Sequence, residues 1–507
     1  MAFDANPQSR YRLDAPRQMA ELVDRFSTLG DSHSGFMLAP GDPIVILTHA
    51  LPPGGAERQW IYLARGLKAA GYDVTFVTYI ELAGDNAHYL PLLKKSGIPL
   101  HAVRSRPPLT LAELLTSSSA FRYCVSSKIV PDPELLFSMT ESLRLLQPKA
   151  IIAQLDYTNL FASLAALLAG VPRAVMSFRS YIPTHFDHIH KDWYRPAYTV
   201  LARSRRVLFS GICGAANREY ADWIGLERGR VAYIGNAIDS DDFPVPSASV
   251  VEALRDELGL MQGQRVVLGV FRLSKEKNPT AFVDVCCRLI ATYPNLCALI
   301  AGVGPLLPEL QNLVQERGVS DNFRFLGRRS DVNVLMTLAD LLLLTSDLEA
   351  VGNVITEAQL MGLPVVSTEA VRAGGALRAG VTGILCPIRD VGALHDACLL
   401  LLSDRALARR MSEAGRRHAA TEFSVRLMAQ RYCDLIAGRD PIPATPPRVI
   451  SSRTDLGDAP DQNEKADHVR GELGQTRRAR LRARARGAGG HRVTLRRRPP
   501  FRARLNG

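Results

Sequence analysis

The feature that most constrains this chain is a rhythm. From residue 43 onward a short apolar run, a turn, a helical pattern and another short apolar run follow one another repeatedly. Pro43-Ile-Val-Ile-Leu-Thr48 leads through the loop His49-Ala-Leu-Pro-Pro-Gly-Gly55 to a helical pattern over Ala56 to Gly71. That pattern carries Trp60, Leu63, Leu67 and Ala70 at three- and four-residue spacing, and Tyr72 to Tyr79 is the next run. Runs that are apolar throughout suit strands buried on both faces, and parallel neighbours need a crossover helix, so the rhythm predicts βαβ units in a mostly parallel sheet. Ala150 to Leu155, a helix over 159–169, Ala174 to Phe178 and Arg206 to Ser210 continue it. After a charged helix over 250–258 a second series begins, with strands at Arg265 to Phe271, Leu296 to Ala301, Phe323 to Leu326, Leu341 to Thr345 and Pro364 to Ser367. Asp239-Ser-Asp-Asp-Phe-Pro-Val-Pro246 breaks regular structure between the two series.

The chain of 507 residues thus divides into an N-terminal extension (1–43), a first Rossmann-like domain (44–240), a second one (241–403), a helix over 404–438 and a tail (439–507). Pro441-Ile-Pro-Ala-Thr-Pro-Pro447 stops the last helix, and the following polar, Arg/Ala/Gly-rich stretch has too little apolar area to fold alone. The net charge of +12 is a property of that tail: residues 470–507 hold thirteen arginines against the single acid Glu472, and the rest of the chain sums to zero. The folded part therefore has no net positive bias toward nucleic acid, and any attraction to an anionic membrane belongs to the tail. The first residues lack an apolar signal region, and the longest apolar stretch, Leu160 to Met176, contains Gly170, Pro172 and Arg173, so it reads as a buried helix running into a strand. The expectation is a cytoplasmic protein. Eight scattered cysteines, at 124, 213, 286, 287, 297, 386, 398 and 433, read as reduced core residues, and no metal site is expected from them.

Three segments carry candidate chemistry. Gly54-Gly55 opens a helix straight after the first strand, where backbone N–H groups receive an anion or the glycines merely reverse the chain. Phe271-Arg-Leu-Ser-Lys-Glu-Lys-Asn-Pro279 places Arg272 and Lys277 at the C-terminal edge of a strand, where ligands of open α/β sheets bind; the pair either neutralises a diphosphate or belongs to a solvated loop. Ser346-Asp-Leu-Glu-Ala-Val-Gly-Asn-Val-Ile-Thr-Glu357 puts Glu349 in a loop after a strand and Glu357 within the next helix. A carboxylate can accept both hydroxyls of a cis-diol, so Glu357 suits a ribose and Glu349 sugar hydroxyls, unless both are solvated. His185, His188 and His190 have no cysteine partners and no established helical register; with Arg179, Tyr181, Trp193 and Tyr194 they suit an acceptor-side loop better than a metal.

Together these segments resemble the GT-B glycosyltransferases, specifically glycosyltransferase family 4 of bacterial surface-polysaccharide and glycolipid synthesis, over residues 44 to 438. The family's Gly-Gly-Ala-Glu-Arg loop stands here as Gly54 to Arg58, and its Gly-Arg-Leu-x-x-x-Lys-x-Pro segment as Phe271-Arg272-Leu273 through Pro279. Its glutamate pair stands as Glu349 and Glu357, with further landmarks at Ala301-Gly-Val-Gly-Pro305, Phe325-Leu-Gly327 and Ile234-Gly-Asn-Ala-Ile-Asp239. The resemblance implies two Rossmann-like parallel-sheet domains facing each other across a cleft, with the last helix crossing back to the first domain. It also implies retaining hexosyl transfer from a nucleotide sugar, a UDP-sugar above all, to a glycan or lipid-linked acceptor, with no tightly bound cofactor. The charge distribution adds the expectation of no specific nucleic-acid partner and of peripheral contact with the inner membrane, the alternative function being a non-enzymatic scaffold that binds nucleic acid or anionic membrane through its basic tail. Arg272, Lys277 and Glu349 are then the catalytic set, and Gly54, Gly55, Arg272, Lys277, Gly304, Leu326, Asn353, Val354 and Glu357 surround the donor. The chain departs from the pattern at Phe271 and Ala237, where glycines are usual, and after Gly375, where a glutamate is. It also lacks the family histidine after the strand ending at Leu155, Asp156 being the nearest ionisable residue, so no general base is assigned.

Overall fold

A computed structural model describes residues 36–103, 131–186, 189–227 and 229–439. A short helical pattern that the sequence carries around Met19 to Phe26 within the N-terminal extension, Cys124, His188 and the basic tail lie outside the described residues.

Among the described residues thirteen strands form two sheets, parallel throughout. The first has the order β3-β2-β1-β4-β5-β6-β7, built from β1 (Pro43–Thr48), β2 (Asp73–Thr78), β3 (Leu100–Ala102), β4 (Ala150–Gln154), β5 (Arg173–Phe178), β6 (Val207–Gly211) and β7 (Val231–Tyr233). The second has the order β10-β9-β8-β11-β12-β13, built from β8 (Val266–Val270), β9 (Cys297–Ala301), β10 (Phe323–Gly327), β11 (Leu341–Leu344), β12 (Val365–Thr368) and β13 (Ile384–Cys386). These are the two Rossmann-like domains expected. The central strands are apolar on both faces because helices cover both: Ile44, Ile46, Leu47 and Ile152 are fully buried. β3, β7 and β13, unforeseen in the sequence, each lie at a sheet edge and are three residues long. A half-paired strand of that length carries no readable alternation.

Where one helix was expected over 404–438 there are two, Arg405–Glu422 and Val425–Ile436. Ser424 breaks the run, its extended backbone and side-chain oxygen, which accepts from Leu427 N at 3.3 Å, starting the second helix afresh. That second helix packs on the helix Gly55–Ala69 of the first domain. Gly66 permits the contact, since a Cβ there would lie 2.8 Å from Ala429 Cβ and from Val425 O. Tyr432 stands edge-on to Trp60 at 6.0 Å and shares a 3.0 Å hydrogen bond with Ser177. Met428, Ala429, Cys433 and Ile436 join Trp60, Leu63 and Leu67 in one core. Where the chain returns toward the first domain it meets the segment by which it left: Ile238 N donates to Phe423 O at 2.7 Å, and Ile238 pairs with Ser424 in a parallel bridge.

Candidate functional site

Parallel sheets gather loops at the C-terminal ends of their strands, and in this chain both sets of loops meet. From the first domain come the start of the helix Gly55–Ala69 and Arg179, one residue past β5; from the second come the segment after β8 and the loop from β11 into the helix Asn353–Met361. Two adjoining cavities lie between them. One, of about 300 Å³, is lined by Gly55, Asn236, Lys277, Glu349, Asn353 and Val354 among others. The other, of about 310 Å³, is lined by Tyr181, Phe186, Arg272 and Glu276. Arg179, Lys277, Glu349 and Ala350 line both.

Three cations of this cleft are paired with carboxylates. Lys277 Nζ contacts Glu349 Oε2. Arg272 Nη2 donates to Glu276 Oε1 at 2.6 Å, and Ser274 Oγ donates to the same oxygen at 2.6 Å. Burial would raise the Glu276 pKa, but the bonds from Ser274 and Arg272 outweigh it and bring the carboxyl down to about 2. Glu357, the expected ribose acceptor, is only 6% exposed and meets Arg58 from the opposite domain. Arg58 also lies over the rings of Phe243 and Tyr62, at 5.4 and 6.0 Å. Burial opposes its charge, yet the neighbouring Glu357 carboxylate prevails and raises its pKa.

The two glycines of the first loop make room for side chains. A Cβ on Gly54 would fall 2.0 Å from Glu57 Oε2, and one on Gly55 would fall 2.7 Å from Asn353 Nδ2. Asn353, at the N-terminus of its helix, accepts from Asn236 Nδ2 at 2.5 Å, and Asn236 Oδ1 accepts from Arg179 Nη2 at 2.5 Å. The Arg179 guanidinium stacks over Trp60 at 4.9 Å. Gly54, Gly304, Leu326 and Glu357 line neither cavity. Gly304 is a glycine because the chains cross closely there: its Cβ would stand 2.3 Å from Leu273 O. The structure therefore brings Gly55, Arg272, Lys277, Glu349, Asn353 and Val354 to the cavities.

Arg58, Arg179 and Asn236 stand in segments singled out from the sequence, but none was assigned an individual role as a site residue. Arg179 carries the same signal that singled out Arg272, a cation just past the C-terminal end of a parallel strand, but it sits in a segment read as acceptor-side loop. Of the histidines there, His185 pairs with Glu219 at 2.5 Å and His190 lies 3.3 Å from Asp192. Among the described residues no His, Cys, Asp and Glu cluster could hold a metal, and no helix is long and apolar enough to cross a membrane. Asp156 serves the core, accepting from the hydroxyls of Tyr198 and Tyr220 at 2.8 and 3.0 Å, and burial raises its pKa. A larger cavity, about 580 Å³, lies in the first domain alone, lined by His49, Tyr79, Asp132, Glu134 and Tyr157. Leu155, on its wall, has φ +65°, a conformation that costs a non-glycine residue roughly 1–3 kcal/mol.

Each domain matches a protein family. Residues 54–237 match the family described as "Glycosyl transferase 4-like domain", and residues 250–418 match "Glycosyl transferases group 1". The Vi polysaccharide biosynthesis protein VipC/TviE of Salmonella typhi is 30% identical over 245 residues, 48% of this chain and 42% of that protein. The D-inositol 3-phosphate glycosyltransferase of Mycobacterium tuberculosis is 34% identical over 206 residues, 39% of this chain and 42% of the relative. The chain spans about half the length of such curated relatives. Among solved structures, Anabaena Alr3699/HepE in complex with UDP and glucose superposes with a TM-score of 0.63 at 22% identity, covering 78% of this chain and all of the other.

Proposed function

We propose, from a GT-B fold whose two domains each match a glycosyltransferase family, that this chain transfers a sugar from a nucleotide-sugar donor to an acceptor hydroxyl held in the interdomain cleft. The observation that carries the reading is the wall shared by the two cavities, where Lys277 and Glu349 face the first domain beside Arg272. The donor is a UDP-sugar and the transfer retains configuration, in the manner of glycosyltransferase family 4; the acceptor is a glycan or lipid-linked glycan of polysaccharide or glycoconjugate synthesis. UDP in the Anabaena relative and the polysaccharide role of the Salmonella relative support this choice. The proposed place of action is the cytoplasm, at the membrane when the acceptor is a lipid.

The chemistry follows from the ion pairs. A diphosphate entering the first cavity competes with Glu349 for Lys277, and phosphate, with more charge and more acceptor oxygens, takes the ammonium. Glu349 is thereby released to accept hydroxyls of the transferred sugar. Arg272, on its flexible exposed stem, leaves Glu276 for the leaving diphosphate, where negative charge grows as the glycosidic bond breaks. Closure around both substrates excludes water and favours transfer over hydrolysis.

A panel of UDP-, GDP- and ADP-sugars, scored by thermal stabilisation and then by sugar release with and without candidate acceptors, tests the reading. UDP-sugars are expected to raise Tm most, by 2 °C or more on the order of RT ln(1 + [L]/Kd). Stabilisation by none of the nucleotides would refute it.

A further inference from the structure

In the cleft Arg58 faces Glu357, Lys277 faces Glu349 and Arg272 faces Glu276, so three cations each have a carboxylate. Arg179 has none among the described residues. Its Nη2 donates to Asn236, while Nε and Nη1 are buried with no hydrogen bond of ordinary geometry, the hydroxyl of Tyr432 being the polar group beside them. Burial pushes its pKa down; the carboxylate that acts against this is Glu57, whose own carboxyl burial pushes up. A guanidinium enclosed in this way costs several kcal/mol unless something completes its hydrogen bonds. The indole of Trp60 and the amide of Asn236 hold it at the wall common to both cavities, which Lys277 also lines. Planar guanidinium donors match two oxygens of one phosphate or carboxylate.

We propose that Arg179 is an anion-binding residue of the first domain, completing with Lys277 a two-sided clamp for a phosphate or carboxylate group where the cavities join. The inference deepens the proposed function by giving the acceptor domain its own contact with an oxyanion. That oxyanion is either the outer phosphate of the donor's diphosphate or an anionic group on the acceptor. In the first case Arg179 also ties donor binding to the approach of the two domains, since Arg179 follows a strand of the first sheet and Lys277 follows a strand of the second.

Calorimetric titration of full-length protein, wild type against Arg179→Gln and Arg179→Lys, tests the clamp with inorganic pyrophosphate, UDP, UMP and, in the presence of saturating UDP, inorganic phosphate. Pyrophosphate needs no nucleotide specificity, so it reports on Arg179 even if wild type ignores UDP, an outcome that would sink the nucleotide-sugar reading alone. In Arg179→Gln, pyrophosphate affinity is expected to fall tenfold or more, with Arg179→Lys intermediate, and the ligand-free Tm is expected to hold or rise, because an uncompensated charge has been removed from the interior. A matching loss for UDP but not UMP assigns the donor diphosphate; a loss confined to phosphate at saturating UDP assigns the acceptor's anion. Affinities within twofold of wild type for every probe, in a variant with unchanged Tm, overturn the proposal. A fall in Tm with all affinities retained overturns it too, making Arg179 a structural brace.

Discussion

The contact between Arg58 and Glu357 makes a quantitative claim, because one carboxylate is asked to hold the domains together and to receive a ribose. The side chains are 20% and 8% exposed, so solvent screens the pair little. Breaking a buried pair from one side costs about 3–5 kcal/mol; the residual exposure of Arg58 reduces that to about 2–4 kcal/mol for Glu357→Gln or Arg58→Met. The double variant, having no stranded charge, is expected to cost less than the sum, with a coupling of about 1.5–3 kcal/mol. Trp60, Trp193 and Trp223 all lie in the first domain, so urea unfolding followed by tryptophan fluorescence reads that domain's share. The ribose role is separate and is read by UDP affinity. Loss of a charge-assisted hydrogen bond of about 1.5–3 kcal/mol makes Glu357→Gln bind UDP roughly 10- to 150-fold more weakly. The same factor should appear in the Arg58→Met background. A coupling below about 0.5 kcal/mol would refute the pairing argument, and UDP affinity within twofold in both backgrounds would leave Glu357 as an interdomain brace with no nucleotide to hold.

Four further outcomes are expected. Arg272→Ala lowers transfer by about 10² or more, as removal of a transition-state charge stabiliser does, yet leaves Tm nearly unchanged because the side chain is 63% exposed; undiminished turnover would defeat the assignment. Glu349→Gln depresses single-turnover transfer while UDP affinity holds or improves, since Lys277 loses its competitor; equal loss of both would contradict the division of labour. His418 is 7% exposed, its Nε2 lies 3.0 Å from Gly375 O, and burial holds its pKa below 6.5. Unfolding then takes up protons below that pH, so stability should fall as pH drops through 6.5; His49, shifted the same way, adds to the slope, and His418→Gln should flatten it in pH-dependent melting curves. Deleting residues 470–507 should spare UDP binding and weaken sedimentation with anionic liposomes, each basic residue near the surface being worth about 1 kcal/mol; absence of binding by the full chain would rule out membrane attraction.

Strands buried on both faces leave the clearest trace in a sequence. β1, β4, β5, β8, β9 and β11 were legible because burial on both faces demands unbroken apolar runs, and the turns between them carry glycine or proline. Edge strands such as Val231–Tyr233 were not, having too few residues for any pattern. The break at Phe423-Ser424 was hidden because serine is compatible with a helix interior, and its capping role depends on the backbone turn around it. In the cleft, Lys277 and Glu349 were legible as separate charges at strand ends, but their pairing across 72 residues of chain was not. The glycines of the first loop invited an anion reading, whereas the approach of Asn353 to Gly55 is a property of two domains at once. Arg179 shows the converse: its position was visible, and only the missing carboxylate makes it distinctive.

The bond between Ile238 and Phe423, and the bridge from Ile238 to Ser424, join the outgoing and returning passes of the chain at one point. Two independent linkers would let the second domain twist as well as swing. Two linkers stitched together act as a single hinge pin, which leaves one soft rotation and stiffens the others. Any opening of the cleft is then expected to follow one arc, which would present Arg58, Arg179 and Asn236 to the second domain in the same relative order at each closure. The alignment of the two domains is in this way expected to be a property of the polypeptide's path.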